Sequence, residues 1–465
     1  MPELYQHQVQ MIRRMLETRR TAVWAEMGTG KSAATLKAFE QLKMKDYNYR
    51  MLIVAPNHLK HNWLREVQLW TPRMRARIVE GTPADKAKAI GAEYDLLIIN
   101  YESFRIYADE IAKRKCQVMV CDESQSLAGR KSSQTKEAWA YRKKVNPEYI
   151  WLLSGTPVRN TFDDFYGQYR LIMPDAPEFR THSVFENQYL IKGGYMGYKI
   201  IGSKNEDHFK RLTDPVTIRL RKDDCLDLPS KVYETIPVEL SEEQLKAYKQ
   251  ICRDSILEIE GVEEALIFQM VVTATMRLQQ VCNGFCGSVS DDGERVIHII
   301  DDMPPKLKML LELVGDMVHN NQQVIIWSQF RYDIAKIVAE LRHIGISCEP
   351  INGEVAGTRR DDAIQSFQKG DIDVLVVQNS ITSGFNATAA SNVIYYGNSY
   401  SYANRMQSED RCHRIGQTKR VLYLDLITTG TVEQKIKRIL EQKASVASII
   451  DKNSWREFFL EGGKE

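Results

Sequence analysis

The 465-residue sequence contains no apolar run long enough to cross a bilayer, and Met1-Pro2-Glu3-Leu4 opens on no apolar signal core. We therefore expect an intracellular, cytoplasmic protein with no membrane partner. An excess of one charge is also missing: 63 Lys and Arg stand against 61 Asp and Glu, a net of +2. That excludes a globally basic nucleic-acid coat. Local groups such as Arg73/Arg75/Arg77, Lys113-Arg114-Lys115 and Arg142-Lys143-Lys144 read as solvated surface unless a fold gathers several onto one face. The 8 cysteines are scattered, which suits reduced thiols and excludes a disulfide framework. Cys282 and Cys286 have no second pair at metal-ligand spacing, so they read as small buried thiols rather than zinc ligands. No nuclear-targeting cluster is recognisable, which points to a bacterial or bacteriophage origin.

What is present is ordinary in bulk and specific in detail. A hydrophobic content of 43% and a charged content of 27% describe a globular chain, long enough for two or three domains with separate cores. The organising stretch is Ala25-Glu26-Met27-Gly28-Thr29-Gly30-Lys31-Ser32. It follows a short apolar run, Thr21 to Trp24, and precedes an alanine-rich helical pattern. A strand, a glycine loop, Lys-Ser and a helix form the context in which backbone N–H groups curl around phosphate oxygens at a helix N-terminus. Lys31 would reach the β- and γ-phosphates of ATP, and the Ser32 hydroxyl would ligate Mg²⁺. Ala25, with Glu26 after it, holds the place where such loops usually carry their first glycine.

Downstream, Met51–Ala55, Asp95–Asn100, Val118–Cys121 and Ile150–Leu153 are apolar and nearly unalternated. Such strands, separated by helical patterns, predict a parallel sheet covered on both faces, with ligands at the carboxyl ends of the strands. Asp122-Glu123 stands at one such end. The aspartate would hold Mg²⁺, and the glutamate would orient and deprotonate an attacking water. Ser154-Gly155-Thr156-Pro157 stands at another. Gly193 to Tyr198 reads as an exposed turn or hairpin, and Asp291-Asp292-Gly293 as a loop.

The second half repeats the α/β pattern without a second phosphate loop. Helices are predicted over 241–282, 306–318 and 333–343, and strands over 324–328, 373–377 and 392–396. A further helix is predicted to carry Arg405 to Arg414. Arg411 and Arg414, three apart, would share a face of that helix. Two guanidiniums there would clamp a triphosphate held by the other half.

Together these motifs resemble the Swi/Snf-type ATPases of helicase superfamily two over nearly the whole chain. Leu4 to Gln8 resembles the adenine-reading segment, with Gln8 as its glutamine. Met27 to Ser32 is similar to motif I, and Pro56 with Asn62, Trp63 and Glu66 to motif Ia. Asp122-Glu123-Ser124-Gln125 stands where the family has Asp-Glu-Ala-His. Ser154 to Pro157 with Asn160 is similar to motif III, Ser383-Gly384-Phe385-Asn386 to motif V, and Gln407 to Gln417 to motif VI.

The resemblance implies an α/β fold of two tandem RecA-like parallel-sheet lobes with helical protrusions. It divides the chain into 1–230, with a protrusion around 175–215, and 231–465, with a helical insertion around 241–285 and a C-terminal helical tail. No accessory domain is expected. ATP would be held by Gln8, Met27, Gly28, Thr29, Gly30, Lys31, Ser32, Gly384 and Gln407. Mg²⁺ would be held by Ser32 and Asp122. Catalysis would rest on Lys31, Asp122, Glu123, Arg411 and Arg414. DNA phosphates would meet Asn57, His58, Trp63, Ser328, Gln329, Thr382 and Ser383. The implied activity is that of a monomeric, DNA-dependent ATPase and DNA translocase or helicase. Branched DNA is the leading substrate, and displacement of proteins from duplex DNA is the runner-up. A nucleotide-gated scaffold with little turnover is the alternative of another class.

Overall fold

The computed structural model describes residues 3–158, 161–193, 199–259, 264–289, 295–355, 357–381 and 385–442. Asn160, the turn at 194–198, the loop at 291–293, Thr382, Ser383, Gly384 and the C-terminal tail lie outside the described residues. The chain forms two compact units, Met1–Asp227 and Leu228–Glu465. No helix among the described residues is long and apolar enough to cross a membrane.

The first unit is built on strands β1 (Arg20–Ala25), β2 (Met51–Ala55), β3 (Ala76–Ile78), β4 (Leu96–Asn100), β5 (Val118–Asp122) and β6 (Tyr149–Ser154). It continues through β7 (Leu190–Gly193), β8 (Lys199–Ser203) and β9 (Thr217–Leu220). Seven of these make one parallel sheet in the order β3-β4-β2-β5-β6-β1-β9. The unalternated apolar strands have a simple cause: both faces are covered. In β2, Leu52 and Val54 enter one core, with Tyr101, Phe104 and Tyr169. Met51, Ile53 and Ala55 enter the other, with Phe39, Trp63 and Trp151. The two-residue strand period sorts neighbours onto opposite faces, and both faces are dry. β7 and β8 form a separate antiparallel pair.

The second unit contains β10 (Lys231–Val238), β11 (Phe285–Val289), β12 (Arg295–Ile299), β13 (Val324–Ser328) and β14 (Cys348–Ile351). It ends with β15 (Val374–Gln378), β16 (Asn392–Tyr395) and β17 (Val421–Thr428). Six of them form a parallel sheet ordered β10-β17-β16-β13-β15-β14, again with a core on each face. The predicted helix over 241–282 is two helices, Glu242–Ile259 and Glu264–Cys282. They pack with the helix Val432–Glu441 in a core of their own.

The helix predicted to carry Arg405 to Arg414 is shorter than expected. It runs Tyr402–Glu409, so Arg411 and Arg414 lie on the turn after it and share no helical face. Cys412 is fully buried in the sheet core, and the amide of Gln417 donates to the carbonyls of Thr388, Ala390 and Cys412. Burying Cys412 on that core draws the chain out of the helix. Short-range bonds such as Arg411 N–H to the Ser408 carbonyl replace the helical ladder.

Candidate ATP site and nucleic-acid interface

β1 ends at Ala25 and the helix Lys31–Lys45 begins five residues after Glu26. Between them Gly28 and Gly30 both adopt φ of 82°, a left-handed conformation that side chains rarely take. A Cβ on Gly30 would lie 1.8 Å from the amide nitrogen of Gln8, so Gln8 is packed directly against the loop. Gln8 is buried and its Oε1 accepts the Tyr5 N–H at 2.9 Å. His7 Nε2 donates to the Thr29 carbonyl at 2.9 Å. Met27 and Thr29 are buried, and Ser32 sits on the first turn of the following helix. Lys31 Nζ donates to the carbonyls of Ala25 (2.6 Å) and Glu26 (3.2 Å), which tethers the ammonium at the root of the loop.

Glu26, next to the departure from the usual loop spelling at Ala25, has a structural task. Its N–H donates to the Leu220 carbonyl at 3.1 Å, and its carboxylate accepts the Lys222 N–H at 2.9 Å. The loop is thereby pinned to β9 and the turn that follows.

In the sheet, β1 and β5 flank β6, so the glycine loop, Ser154 and Asp122-Glu123 emerge at neighbouring carboxyl ends. Asp122 is 8% exposed. One of its oxygens accepts the indole N–H of Trp63 at 2.8 Å and the other accepts the Glu123 N–H at 2.9 Å. Burial pushes the Asp122 carboxyl up to about 6, the neighbouring Glu123 adds to that, and the Trp63 bond and Lys31 oppose it. Glu123 itself is left-handed, φ 48°, a strained conformation for this residue type and a frequent mark of working sites. Its carboxylate accepts from Gln125 Nε2 at 2.6 Å. Gln125 Oε1 accepts from Ser154 Oγ at 2.7 Å, and Ser154 Oγ accepts the Thr156 N–H at 3.0 Å. A relay therefore runs from the acid at the end of β5 to the turn after β6. The glutamine that stands in the place of a histidine is its middle link.

The second unit presents its predicted residues separately. Gln407 is on the helix Tyr402–Glu409. Arg411 is 7% exposed, with Nη1 donating to the Phe385 carbonyl at 2.9 Å and Nε to the Gln407 carbonyl at 3.1 Å. Arg414 is half-buried three residues on.

The predicted nucleic-acid contacts among the described residues divide into two groups. Asn57 and His58 are exposed after β2, and Gln329 is half-buried after β13. They border different strand ends. Asn57 also lines an open polar cleft of about 410 Å³ with Lys60, His61, Lys86 and Asn100. Trp63 and Ser328 differ from the expectation. Trp63 is 1% exposed and its polar atom is spent on Asp122. Ser328 is fully buried and donates to Asp333 at 2.9 Å. Neither offers a surface to a phosphate: Trp63 turns inward from the helix Lys60–Trp70 to Asp122, and the Ser328 hydroxyl, at the last position of β13, is bonded to buried Asp333.

Two buried networks were not visible in the sequence. In the first, Arg405 stacks 3.4 Å from the Tyr395 ring centroid and donates to Glu409, Asn398 and Asp425. In the second, Lys306 pairs with Glu433 at 2.6 Å and reaches Asn283, whose amide donates to Asp333 at 2.8 Å. Their hydrogen-bonded partners range from 4 residues apart, Arg405 and Glu409, to 127 apart, Lys306 and Glu433, so most of each network lies beyond any local pattern.

Comparison with known families decides the relationship. A family described as SNF2-related domain matches residues 7–285, and a helicase conserved C-terminal domain matches 305–416. The chain belongs to the SNF2-related family. Its two parallel-sheet units are the RecA-like lobes of that family. Among curated relatives, the uncharacterized ATP-dependent helicase MG018 of Mycoplasma genitalium is 26% identical over 429 residues, covering 90% of this chain and 39% of that protein. The transcription regulatory protein SNF2 of Saccharomyces cerevisiae is 25% identical over 434 residues, covering 88% and 25%. The chain thus spans less than half the length of these relatives. A solved SWI2/SNF2 ATPase core of Sulfolobus solfataricus in complex with dsDNA aligns over 99% of this chain and 94% of its own, at 21% identity and a TM-score of 0.46.

Proposed function

We propose that this chain is an ATP-hydrolysing DNA translocase or helicase that works on branched DNA. The observation that carries the ATPase reading is the convergence at β1, β6 and β5. A left-handed glycine loop, a buried aspartate and a strained glutamate tied into a relay lie at adjacent strand ends. Gln8, Met27, Gly28, Thr29, Gly30 and Lys31 hold the nucleotide. Ser32 and Asp122 offer hard oxygen donors, and each Asp122 oxygen retains a lone pair beyond the bond it accepts, a set that suits Mg²⁺. The ion, when bound, supplies charge neutralisation at the phosphates. Glu123 orients the attacking water, and its carboxylate is held in place by Gln125. Lys31 leaves the Ala25 and Glu26 carbonyls for the phosphates. Arg411 and Arg414 stabilise the charge that develops in the transition state.

Asn57, His58 and Gln329, together with Thr382 and Ser383, meet DNA phosphates, which carry no sequence information and suit a motor that tracks any sequence. Membership of the SNF2-related family supports the DNA reading. The preference for branches is tested by measuring ATP hydrolysis and strand rearrangement on forks, Holliday junctions, linear duplex and protein-blocked duplex. We expect forks or junctions to stimulate turnover above linear duplex, and Lys31→Ala to abolish it. Equal stimulation by all DNAs with clearance of the blocking protein would replace the branched-DNA reading with protein displacement. Turnover indifferent to DNA, or retained in Lys31→Ala, would remove the motor reading.

A further inference from the structure

The turn that bears Arg411 and Arg414 is fastened to the first residues of the second unit, where the chain arrives from the first. That unit begins at Leu228. The next residue, Pro229, offers its carbonyl to His413 Nε2 at 2.8 Å. A carbonyl only accepts, so Nε2 carries the proton and His413 donates. His413 is 6% exposed and sits between the two arginines in sequence. The Ser230 carbonyl accepts the Val421 N–H. Lys231 Nζ pairs with Glu409 at 3.0 Å, and the Tyr233 hydroxyl donates to the same Glu409 oxygen at 2.7 Å. Glu409 is the last residue of the helix that leads into the arginine turn. Its other oxygen accepts Arg405 Nε at 2.9 Å. The arriving strand is therefore bonded on both sides of Arg411: to Glu409 two residues before it, and to His413 two residues after it.

We infer that His413 and Glu409 are positioning residues that hold the Arg411–Arg414 turn in register with the segment joining the two units. A displacement of that segment acts first on the arginine turn. ATP turnover is thereby made to depend on where the joining segment lies, while nucleotide and DNA binding are not. The inference rests on the proposed role of Arg411 and Arg414 in ATP hydrolysis. The tether itself is a statement about bonds within one unit. Packing alone would not confine the effect to turnover. His413 is bonded through its Nε2 proton to the Pro229 carbonyl, and it is through that bond that it holds the turn.

The test uses the full chain with His413→Ala, His413→Gln and Lys231→Met. Two readouts are taken: steady-state ATP hydrolysis with saturating DNA, and amide hydrogen exchange over residues 410–417. We expect His413→Ala and Lys231→Met each to lower kcat about tenfold, with KM for ATP and DNA affinity within about twofold of the parent. Exchange over the arginine turn should rise about tenfold in both. His413→Gln should recover most of kcat and of the protection, because its amide N–H reaches toward the same carbonyl. Unchanged exchange in His413→Ala overturns the tether, whatever happens to hydrolysis. Raised exchange with kcat within twofold of the parent overturns the positioning role, as does a loss in His413→Gln equal to that in His413→Ala. A parent that hydrolyses no ATP with DNA refutes the proposed function and the role in turnover together, and the exchange readout still decides the tether.

Discussion

Asp333 offers a test of the second unit's interior. It is 3% exposed and receives bonds from Ser328 (2.9 Å) and Asn283 (2.8 Å) on one oxygen. The buried cation nearby, Lys306, is engaged with Glu433 at 2.6 Å and lies over the Tyr396 ring. One ammonium thus faces two buried carboxyls, and Asp333 is the odd acid. Burial pushes it up from 3.8 to about 7, against the Ser328 bond, Lys306 and the Asn283 bond, which lower it. A carboxyl whose folded pKa lies above its unfolded value favours folding while protonated. Its contribution is complete below about pH 4 and is lost as pH rises through 7. At about 1.4 kcal/mol per unit, the loss between pH 5 and pH 8 is about 2–3 kcal/mol. Asp333→Asn keeps an acceptor for Ser328 and Asn283 and cannot ionise. We expect its stability relative to the parent to grow by that amount from pH 5 to pH 8, measured by urea unfolding with intrinsic tryptophan fluorescence. A difference between the two proteins that stays constant across the range would refute the reasoning.

Further outcomes concern the first unit. Trp63→Phe keeps most of the packing but removes a charge-assisted bond to Asp122, worth about 1.5–3 kcal/mol. It should lower kcat/KM for ATP at least about tenfold, and an unchanged value with the protein folded would show that the indole does not orient the carboxylate. Gly30→Ala places a methyl group on Gln8 and forces a left-handed alanine, at about 1–2 kcal/mol for the backbone alone. Binding of fluorescent ADP should be lost, and the added substitution Gln8→Ala should recover part of the thermal stability but not the φ cost.

How far the sequence could be read depended on whether the cause was local. β2, β4, β5 and β6 were legible because a strand buried on both faces must be apolar throughout, and Met51–Ala55 is nothing else. β3 and β9 were not, since Ala76–Ile78 and Thr217–Leu220 are short and each carries an arginine. β17 includes Asp425, a buried charge compensated by Arg405, twenty residues earlier, with Asn398 and Lys437 beside it. The arginine turn was misjudged for a similar reason. The spacing of Arg411 and Arg414 fits a helix, and the burial of Cys412 on a distant sheet overrides it. Trp63 lies a few residues after exposed Asn57 and His58, and only the fold reveals that its helix turns the indole inward to Asp122.

The pinning of Glu26 has a consequence for the order in which the protein becomes active. The glycine loop is made within the first thirty or so residues, yet the bonds that pin it come from Leu220 and Lys222. β9, which borders β1, is the last strand of the first unit. On a ribosome, N-terminal domains generally fold first. Here the loop waits for nearly the whole unit before its anchor exists, and closing so long a segment carries an entropic cost that only the finished sheet offsets. A partly synthesised chain would carry the glycine loop without its clamp, so the proposed nucleotide site is completed only when β9 has been made.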